Sequence, residues 1–394
     1  MQKVRKISEM KINHAYMIFF LIVFTVLTLV NLYIFYRTRN LFPVEQPLRW
    51  GAIMLFWVVA LGYMAGRILE RAGAEGPAEF LIKAGSLWLG AMVYLTLIFL
   101  FVDILRGVSH IPGLKGFFSF PWASDKGRWI TAGVYGLTAL ILVAGFFNAR
   151  NPKVVRQPVV LDKVVPGGTY KALLVSDIHL GIMIANGRLE RLVELMNRQE
   201  ADVILMAGDI FDEDLGPVIR NNLGDLLKNL RAKEGVFAIL GNHEFYGHSG
   251  DATRYLEDHR IRVLRDSAVT LPSGVVIAGR EDITGERMFR EKRKSLQDLL
   301  AGSDATRPVI VMDHQPYHLS EVAKNQVDLQ VSGHTHHGQL WPFNFITRAI
   351  FEISAGYGKI GNTHFYVSPG VGTWGPPIRT SGRPEVIVLE ISGK

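Results

Sequence analysis

Val203-Ile-Leu-Met-Ala207-Gly208-Asp209-Ile-Phe-Asp212 is a five-residue apolar run that stops at a glycine and two carboxylates. A run this short, bounded by turn chemistry, reads as a strand buried on both faces. The same figure recurs on either side of it. Residues 171–176 end at Asp177-Ile-His179, and 236–240 end at Gly241-Asn242-His243-Glu244. Residues 308–312 end at Asp313-His314, and 329–332 end at Gly333-His334-Thr-His336. Between them, 189–197 has helical spacing, with Leu189, Leu192, Val193 and Met196 on one face, and 218–230 reads as a second helix. Strands and helices alternate, which predicts an α/β domain. Every polar block falls just past the C-terminal end of a strand, where such sheets collect their ligands.

The blocks supply carboxylates and imidazoles, and none supplies a thiolate. The chain has no Cys, which excludes disulfides and thiolate metal sites. Carboxylate is a hard donor able to bridge two cations, whereas imidazole suits transition metals better than Mg²⁺ or Ca²⁺. The mixed set points to two divalent metals side by side, with Mn²⁺ the leading expectation and Fe or Zn²⁺ the others. Two such cations serve the hydrolysis of phosphate esters. Gly208, Gly241 and Gly333 are expected to let the backbone turn sharply beside the metals.

In order, spacing and residue type, the five blocks resemble the calcineurin-like metallophosphoesterase family over roughly residues 170–390. The resemblance implies a two-sheet α/β sandwich. It implies that Asp177, His179 and His336 bind one metal, that Asp209 bridges, and that Asn242, His314 and His334 complete the second site. A metal-bound hydroxide would then attack phosphorus in line. His243 would protonate or stabilise the leaving oxygen, and Asp212 would orient that imidazole. In the protein Ser/Thr phosphatase branch an Arg follows the second Asp of the GDxxD block, and another follows GNHE shortly. Here Glu213 and Phe245-Tyr246 occupy those places, which disfavours a phosphoprotein substrate. The stretch from Ser332 to Phe343 resembles instead a bacterial, membrane-attached branch, some of whose members act on lipid-linked phosphates.

The apolar excess of the chain lies before residue 150. Four stretches, about 15–36, 50–66, 84–105 and 129–147, are long enough to cross a ~30 Å hydrocarbon core as helices. Basic residues bracket each: Lys11 and Arg37, Arg49 and Arg67, Lys83 and Arg106, Arg128 and Arg150. Four such runs in succession read as a transmembrane anchor over 1–150, not as core helices and not as a signal peptide. Asp103 is the one acid within them and is expected to be hydrated near a helix end. The loop at 106–128, with Ile111-Pro112-Gly113, Phe117-Phe118 and Phe120-Pro121-Trp122, is expected to lie along the headgroups. Basic residues favour the side shared by the termini, 11 against 7, which predicts a multi-pass protein of a bacterial inner membrane with a cytoplasmic catalytic domain. Residues 151–169, with Pro152, Pro158, Pro166, Gly167 and Gly168, read as a linker to a domain over 170–394.

The net charge of +7 divides unevenly: residues 1–165 carry 18 Lys and Arg against 8 Asp and Glu, and 166–394 carry 25 against 28. A slightly acidic catalytic domain offers no basic stripe to nucleic acid, so none is expected as a partner. The expected partners are the bilayer and a phosphate-ester substrate, lipid-linked on the preferred reading. Nothing in the sequence fixes an oligomeric state. Arg379 could grip a phosphate or be an ordinary surface residue, and His337 could touch substrate or be exposed. Trp341, Phe343, Phe345, Ile346, Ile350 and Phe351 form an apolar cluster that reads either as core under a loop or as a wall for an acyl or prenyl chain. The alternatives are an anchored phosphodiesterase of soluble nucleotides, or a membrane sensor that keeps the fold without the reaction.

Overall fold

The computed structural model describes residues 21–111, 118–165, 167–290 and 292–393. The chain divides into two compact units, Met1–Val143 and Ala144–Lys394. Four helices, α1 (Leu21–Leu41), α2 (Gln46–Arg71), α3 (Glu75–Val108) and α4 (Asp125–Ala149), are each long and apolar enough to cross a membrane. The first expected stretch begins outside the described residues. The helices outrun the other three stretches because helical backbone continues past the charged edges. Asp103 shows the consequence. It lies inside the last turns of α3 and accepts from Tyr33 Oη at 2.6 Å and Trp122 Nε1 at 3.0 Å, and it pairs with Arg37 at 2.6 Å and Arg106 at 3.3 Å. The expectation of a simply hydrated acid is therefore corrected to a four-partner hub. In the loop, Phe120 and Trp122 are buried, and Trp122 meets the Phe99 ring edge-on. Pro112, Gly113 and Phe117 lie outside the described residues.

The second unit holds two six-stranded sheets. The first is built from β1 (Lys153–Leu161), β2 (Thr169–Val175), β3 (Val203–Ala207), β4 (Val236–Ile239), β5 (Arg262–Val263) and, from the far end of the chain, the strand Glu385–Gly393. The second is built from β6 (Ser267–Thr270), β7 (Val276–Gly279), β8 (Val309–Met312), β9 (Leu329–Ser332), β10 (Gly356–Ile360) and β11 (Thr363–Val367). With Glu385–Gly393 as β12, the orders are β1-β12-β2-β3-β4-β5 and β10-β11-β9-β8-β7-β6. Strands β2, β3 and β4 are mutually parallel, as are β7, β8, β9 and β11. Period-two alternation sorts their side chains. Leu174, Leu205 and Ile239 meet Ile310, Met312 and Val331 between the sheets. Leu173, Val175, Ile204 and Met206 point the other way, onto Leu189, Leu192, Val193 and Met196 of α5 (Asn186–Asn197). This is the two-sheet sandwich, and it brings the ends of β2, β3, β4, β8 and β9 to one edge.

Two sequence readings need correction. Residues 151–169 are not simply a linker, because β1 occupies 9 of them and pairs in parallel with β12 from Lys153–Glu385 to Leu161–Gly393. The prolines misled: an edge strand tolerates Pro158 because the ladder needs its N–H on one side only. The helix read at 218–230 is two short helices, Gly216–Arg220 and Leu223–Leu227, parted at Asn222, whose φ of 52° is left-handed. The β1 pairing carries a prediction. A fragment starting at residue 166 loses buried Val159 and Leu161 and uncovers β12. It should be less stable than a fragment starting at residue 144 by roughly 3 kcal/mol. Equal urea midpoints for the two fragments would count against a structural role for β1.

Candidate metal centre

The polar residues past the strand ends converge. Asp177 follows β2, Asp209 follows β3, Asn242 and His243 follow β4, His314 follows β8, and His334 and His336 follow β9. Backbone bonds knit these loops together: Asp177 N donates to Gly208 O at 3.0 Å, His179 N to Asp209 O at 3.1 Å, and Gly333 N to His314 O at 2.9 Å. Asp177, His179, Asp209, His334 and His336 all sit at positive φ, between 47° and 70°. Such strain persists only where the surrounding structure over-determines it, and it concentrates at functional sites. Of the three glycines expected to turn sharply, only Gly208 has positive φ, 85°. At Gly241 and Gly333 the requirement is space instead. A Cβ there would lie 2.2 Å from Asp209 Oδ1 and 2.4 Å from Asp177 Oδ2.

Among the described residues, three groups of possible ligands have donor atoms within 4.8 Å of one another: Asp177-His179-His336, His179-Asp209-His243 and Asp209-His314-His334. They chain through shared members into one centre. His336 Nε2 lies 3.0 Å from His179 Nε2 and 3.4 Å from Asp177 Oδ1. His314 Nε2 lies 3.1 Å from Asp209 Oδ2, and Asn242 Oδ1 lies 2.8 Å from His334 Nδ1. All seven residues expected as ligands are thus brought together. His243 stands among them, its ring 4.7 Å from that of His179, with its backbone N donating to Asp209 Oδ1 at 2.9 Å. Asp212 Oδ1 is 3.7 Å from His243 Nδ1 and 4.0 Å from His179 Nδ1, and Glu213 Oε1 is also 3.7 Å from His243 Nδ1. The charge facing His243 therefore comes from two carboxylates, not from Asp212 alone.

Burial and mutual charge together shift the groups of this cluster. Burial pushes Asp177 up to about 6, with Asp209's charge adding to the rise and His314 opposing it. Burial, and then His243, lowers His179 to about 3, and burial with His314 lowers His334 to about 3. Neutral imidazole is the ligating form. Burial would raise Asp209, but His314 and His243 outweigh it and hold the carboxyl well below its ordinary range. His179 Nδ1, His243 Nδ1 and His314 Nε2 are buried with no hydrogen-bond partner among the described residues. Buried polar atoms are normally satisfied, and His314 Nε2, 3.1 Å from Asp209 Oδ2, is placed to share a cation with that carboxylate. The donor set fits two divalent metals.

Sequence reasoning overlooked several supports. Glu244 is buried, and its carboxylate accepts from Gly241 N at 2.7 Å, Phe211 N at 2.9 Å and Asp209 N at 3.2 Å, locking two ligand loops together. Its position three residues after Gly241 was the available signal, an acid at the third position of a helix. Asp313 is buried between Arg280 at 2.8 Å and Arg293 at 3.1 Å, beside His314. Trp374, half-exposed, sets its ring 5.8 Å from that of His243. No sequence pattern pointed to it.

Arg379 needs correction. It is fully buried and donates through Nε to Gly372 O at 3.0 Å and through Nη2 to Pro369 O, while Nη2 lies 3.1 Å from His336 Nδ1. A guanidinium so engaged holds the candidate ligand His336 in place and does not reach out to substrate. Arg379→Ala should therefore weaken metal binding by about 10–100-fold, the usual cost of losing a partner of a ligating His. Competition against a metal-indicator dye would check this, and an unchanged affinity would sink it. His337 is half-buried, with its backbone N on Thr335 Oγ1 at 3.2 Å and its carbonyl accepting from Ser381 Oγ at 2.8 Å. It belongs to none of the three ligand groups.

Comparison with known proteins agrees with this geometry. Residues 170–338 match the family model described as calcineurin-like phosphoesterase. A protein of Aquifex aeolicus named an uncharacterized metallophosphoesterase is 34% identical over 59% of this chain and 89% of its own length. A bovine protein named transmembrane protein with metallophosphoesterase domain is 29% identical over 64% of this chain and 60% of its own length. Relatives therefore occur in both bacteria and mammals. A solved structure of a 5'-nucleotidase precursor from Thermus thermophilus aligns with a TM-score of 0.35 and 18% identity, covering 57% of this chain and 54% of that one.

Proposed function

Because the chain belongs to the calcineurin-like metallophosphoesterase family, we propose that it is a membrane-anchored hydrolase of a phosphoester or pyrophosphate bond, acting on a lipid-linked substrate at a two-metal site. The observation that carries the reading is the convergence of Asp177, His179 and His336 with Asp209, His314 and His334. Asp177, His179 and His336 would hold one metal, Asn242, His314 and His334 the other, and Asp209 would bridge them. When bound, two divalent cations would neutralise the phosphoryl oxygens and make the attacking water more acidic. His243 donates a proton to the leaving oxygen, and Asp212 and Glu213 face its Nδ1 from 3.7 Å. Glu244 and Arg379 keep the ligands aimed.

Anchoring is supported by the four long apolar helices. The excess of basic residues on the side of the termini supports a cytoplasmic catalytic domain at a bacterial inner membrane. A lipid-linked substrate is supported by the apolar residues just past His336, with Trp341, Phe345, Ile346 and Ile350 all more than half exposed. The test uses the full chain in detergent with Mn²⁺ or EDTA. Its substrates are bis-p-nitrophenyl phosphate, soluble nucleotides, and a polyprenyl pyrophosphate or phosphatidic acid in mixed micelles. Mn²⁺-dependent turnover that favours the micellar substrates is expected. Equal or better turnover of nucleotides would overturn the lipid assignment, and no turnover with metal bound would overturn the hydrolase.

A further inference from the structure

The segment after the last metal ligands exposes apolar surface that folding does not need. Trp341 is 52% exposed, and Phe345, Ile346 and Ile350 on the helix Asn344–Ile350 are 58, 55 and 60% exposed. Their location is tied to the metal centre at both ends. The segment leaves directly from His336 and His337, and it returns at Phe351, whose ring lies 6.1 Å from that of His334. Large exposed apolar patches mark sites of contact with a protein or a membrane.

Three observations choose the bilayer as the occupant. First, Trp341 is one hydrogen bond from loop 377–382, its N donating to Thr380 Oγ1 at 2.9 Å. The same loop holds the last turns of α4, which belong to this unit. Arg379 N donates to Gly145 O at 3.0 Å, Asn148 Nδ2 donates to Arg379 O at 3.0 Å and Gly382 O at 2.9 Å, and Arg150 Nη1 donates to Pro377 O at 3.3 Å. The exposed segment is therefore continuous with the end of a helix apolar enough to cross a membrane. Second, α4 keeps an apolar side chain outward to its end, with Phe147 67% exposed. Third, residues 341–351 hold no acid and one base, Arg348, with Arg150 at the end of α4. Apolar surface flanked by arginines is the composition that anionic headgroups and acyl chains accept together.

We propose that Trp341 and the helix Asn344–Ile350 form a monotopic element that lies in the bilayer interface, so that the metal centre opens at headgroup depth. This rests on reading the apolar helices as membrane spans, and it deepens the lipid-substrate proposal by giving the substrate a route that never leaves the membrane. Phosphoester groups at headgroup height would reach the metals while their chains stayed among lipids.

The absence of cysteine makes the test clean. Single variants Ile346→Cys, Ile350→Cys, Leu140→Cys and Asp225→Cys of the full chain are labelled with a polarity-sensitive dye. They are then reconstituted in vesicles of zwitterionic and anionic phospholipid carrying spin-labelled quenchers at defined depths. Folding of each is checked by circular dichroism, and either of the two positions in the segment suffices. Labels at 346 or 350 should shift to the blue and quench best with spin labels ~5–10 Å below the headgroups. The label at 225, an exposed position on the helix Leu223–Leu227, should answer to aqueous iodide instead. If 346 and 350 behave like 225, the proposal is overturned. A blue shift without lipid quenching would mean that a second copy or another protein covers the face, and would also overturn it. Leu140, 68% exposed on α4, separates the two readings. Lipid quenching at 140 without quenching at 346 or 350 sinks this proposal alone, and its absence at 140 sinks the membrane reading beneath it.

Discussion

Asp209→Asn is expected to lower Mn²⁺-dependent turnover by about 10³-fold, the scale on which a single group that stabilises charge in the transition state is felt. It should also reduce the bound metal to fewer than two ions per chain. Asp209, like His179, is shared by two of the three ligand groups, and His314 and His243 keep it ionised despite complete burial. Two cations held side by side would repel each other, and a carboxylate shared between them would offset that repulsion where a neutral amide oxygen would not. Asn keeps the shape and one acceptor for the His243 N–H, so the loops should hold and the loss should be electrostatic. Metal analysis of the purified variant beside a hydrolysis assay decides the matter. A variant that retains two ions and stays within about tenfold of the parent rate would remove Asp209 from the bridge. EDTA should produce a similar loss in the parent chain, reversed by added Mn²⁺.

The site was more legible in the sequence than the fold around it, for a physical reason. Candidate ligands for divalent metals come from a short list of residue types, and in an α/β fold they gather past strand ends, so Asp177, Asp209, Asn242, His314 and His334 announce themselves by residue type and by the apolar run before them. Strand β1 announces nothing. Its partner β12 is more than 220 residues away, Pro158 within it and Pro152 just before it imitate a linker, and only long-range pairing makes it a strand. Arg379 shows the complementary failure. A guanidinium near a phosphate site suggests a grip on substrate, and only its burial among Pro369 O, Gly372 O and His336 reveals that its donors are engaged inside. Glu244 lies between these cases, visible as a motif letter while its three backbone partners are not. Trp341 and Phe345 were open to either reading from sequence, because core and membrane surface draw on the same residues. Exposure of both decides against core.

His243→Ala should cost roughly 10²–10⁴-fold in turnover, the range for losing a general acid, while both metals remain. The geometry separates this residue from its neighbours. The bond it gives Asp209 comes from the backbone, so truncating the side chain leaves that bond intact. Its imidazole has Asp212 and Glu213 3.7 Å from Nδ1, with the Trp374 ring 5.8 Å and the His179 ring 4.7 Å away. A general acid matters in proportion to the basicity of the oxygen it serves. The loss should therefore be large for an alkyl or phosphoryl leaving group and much smaller for p-nitrophenolate, which departs without help. Asp212→Asn should show the same leaving-group pattern in weaker form, since Glu213 still faces the imidazole. If His243→Ala instead sheds a metal, or slows activated and unactivated esters alike, then the ligand group that joins His243 to His179 and Asp209 is the true description, and the proton must come from elsewhere.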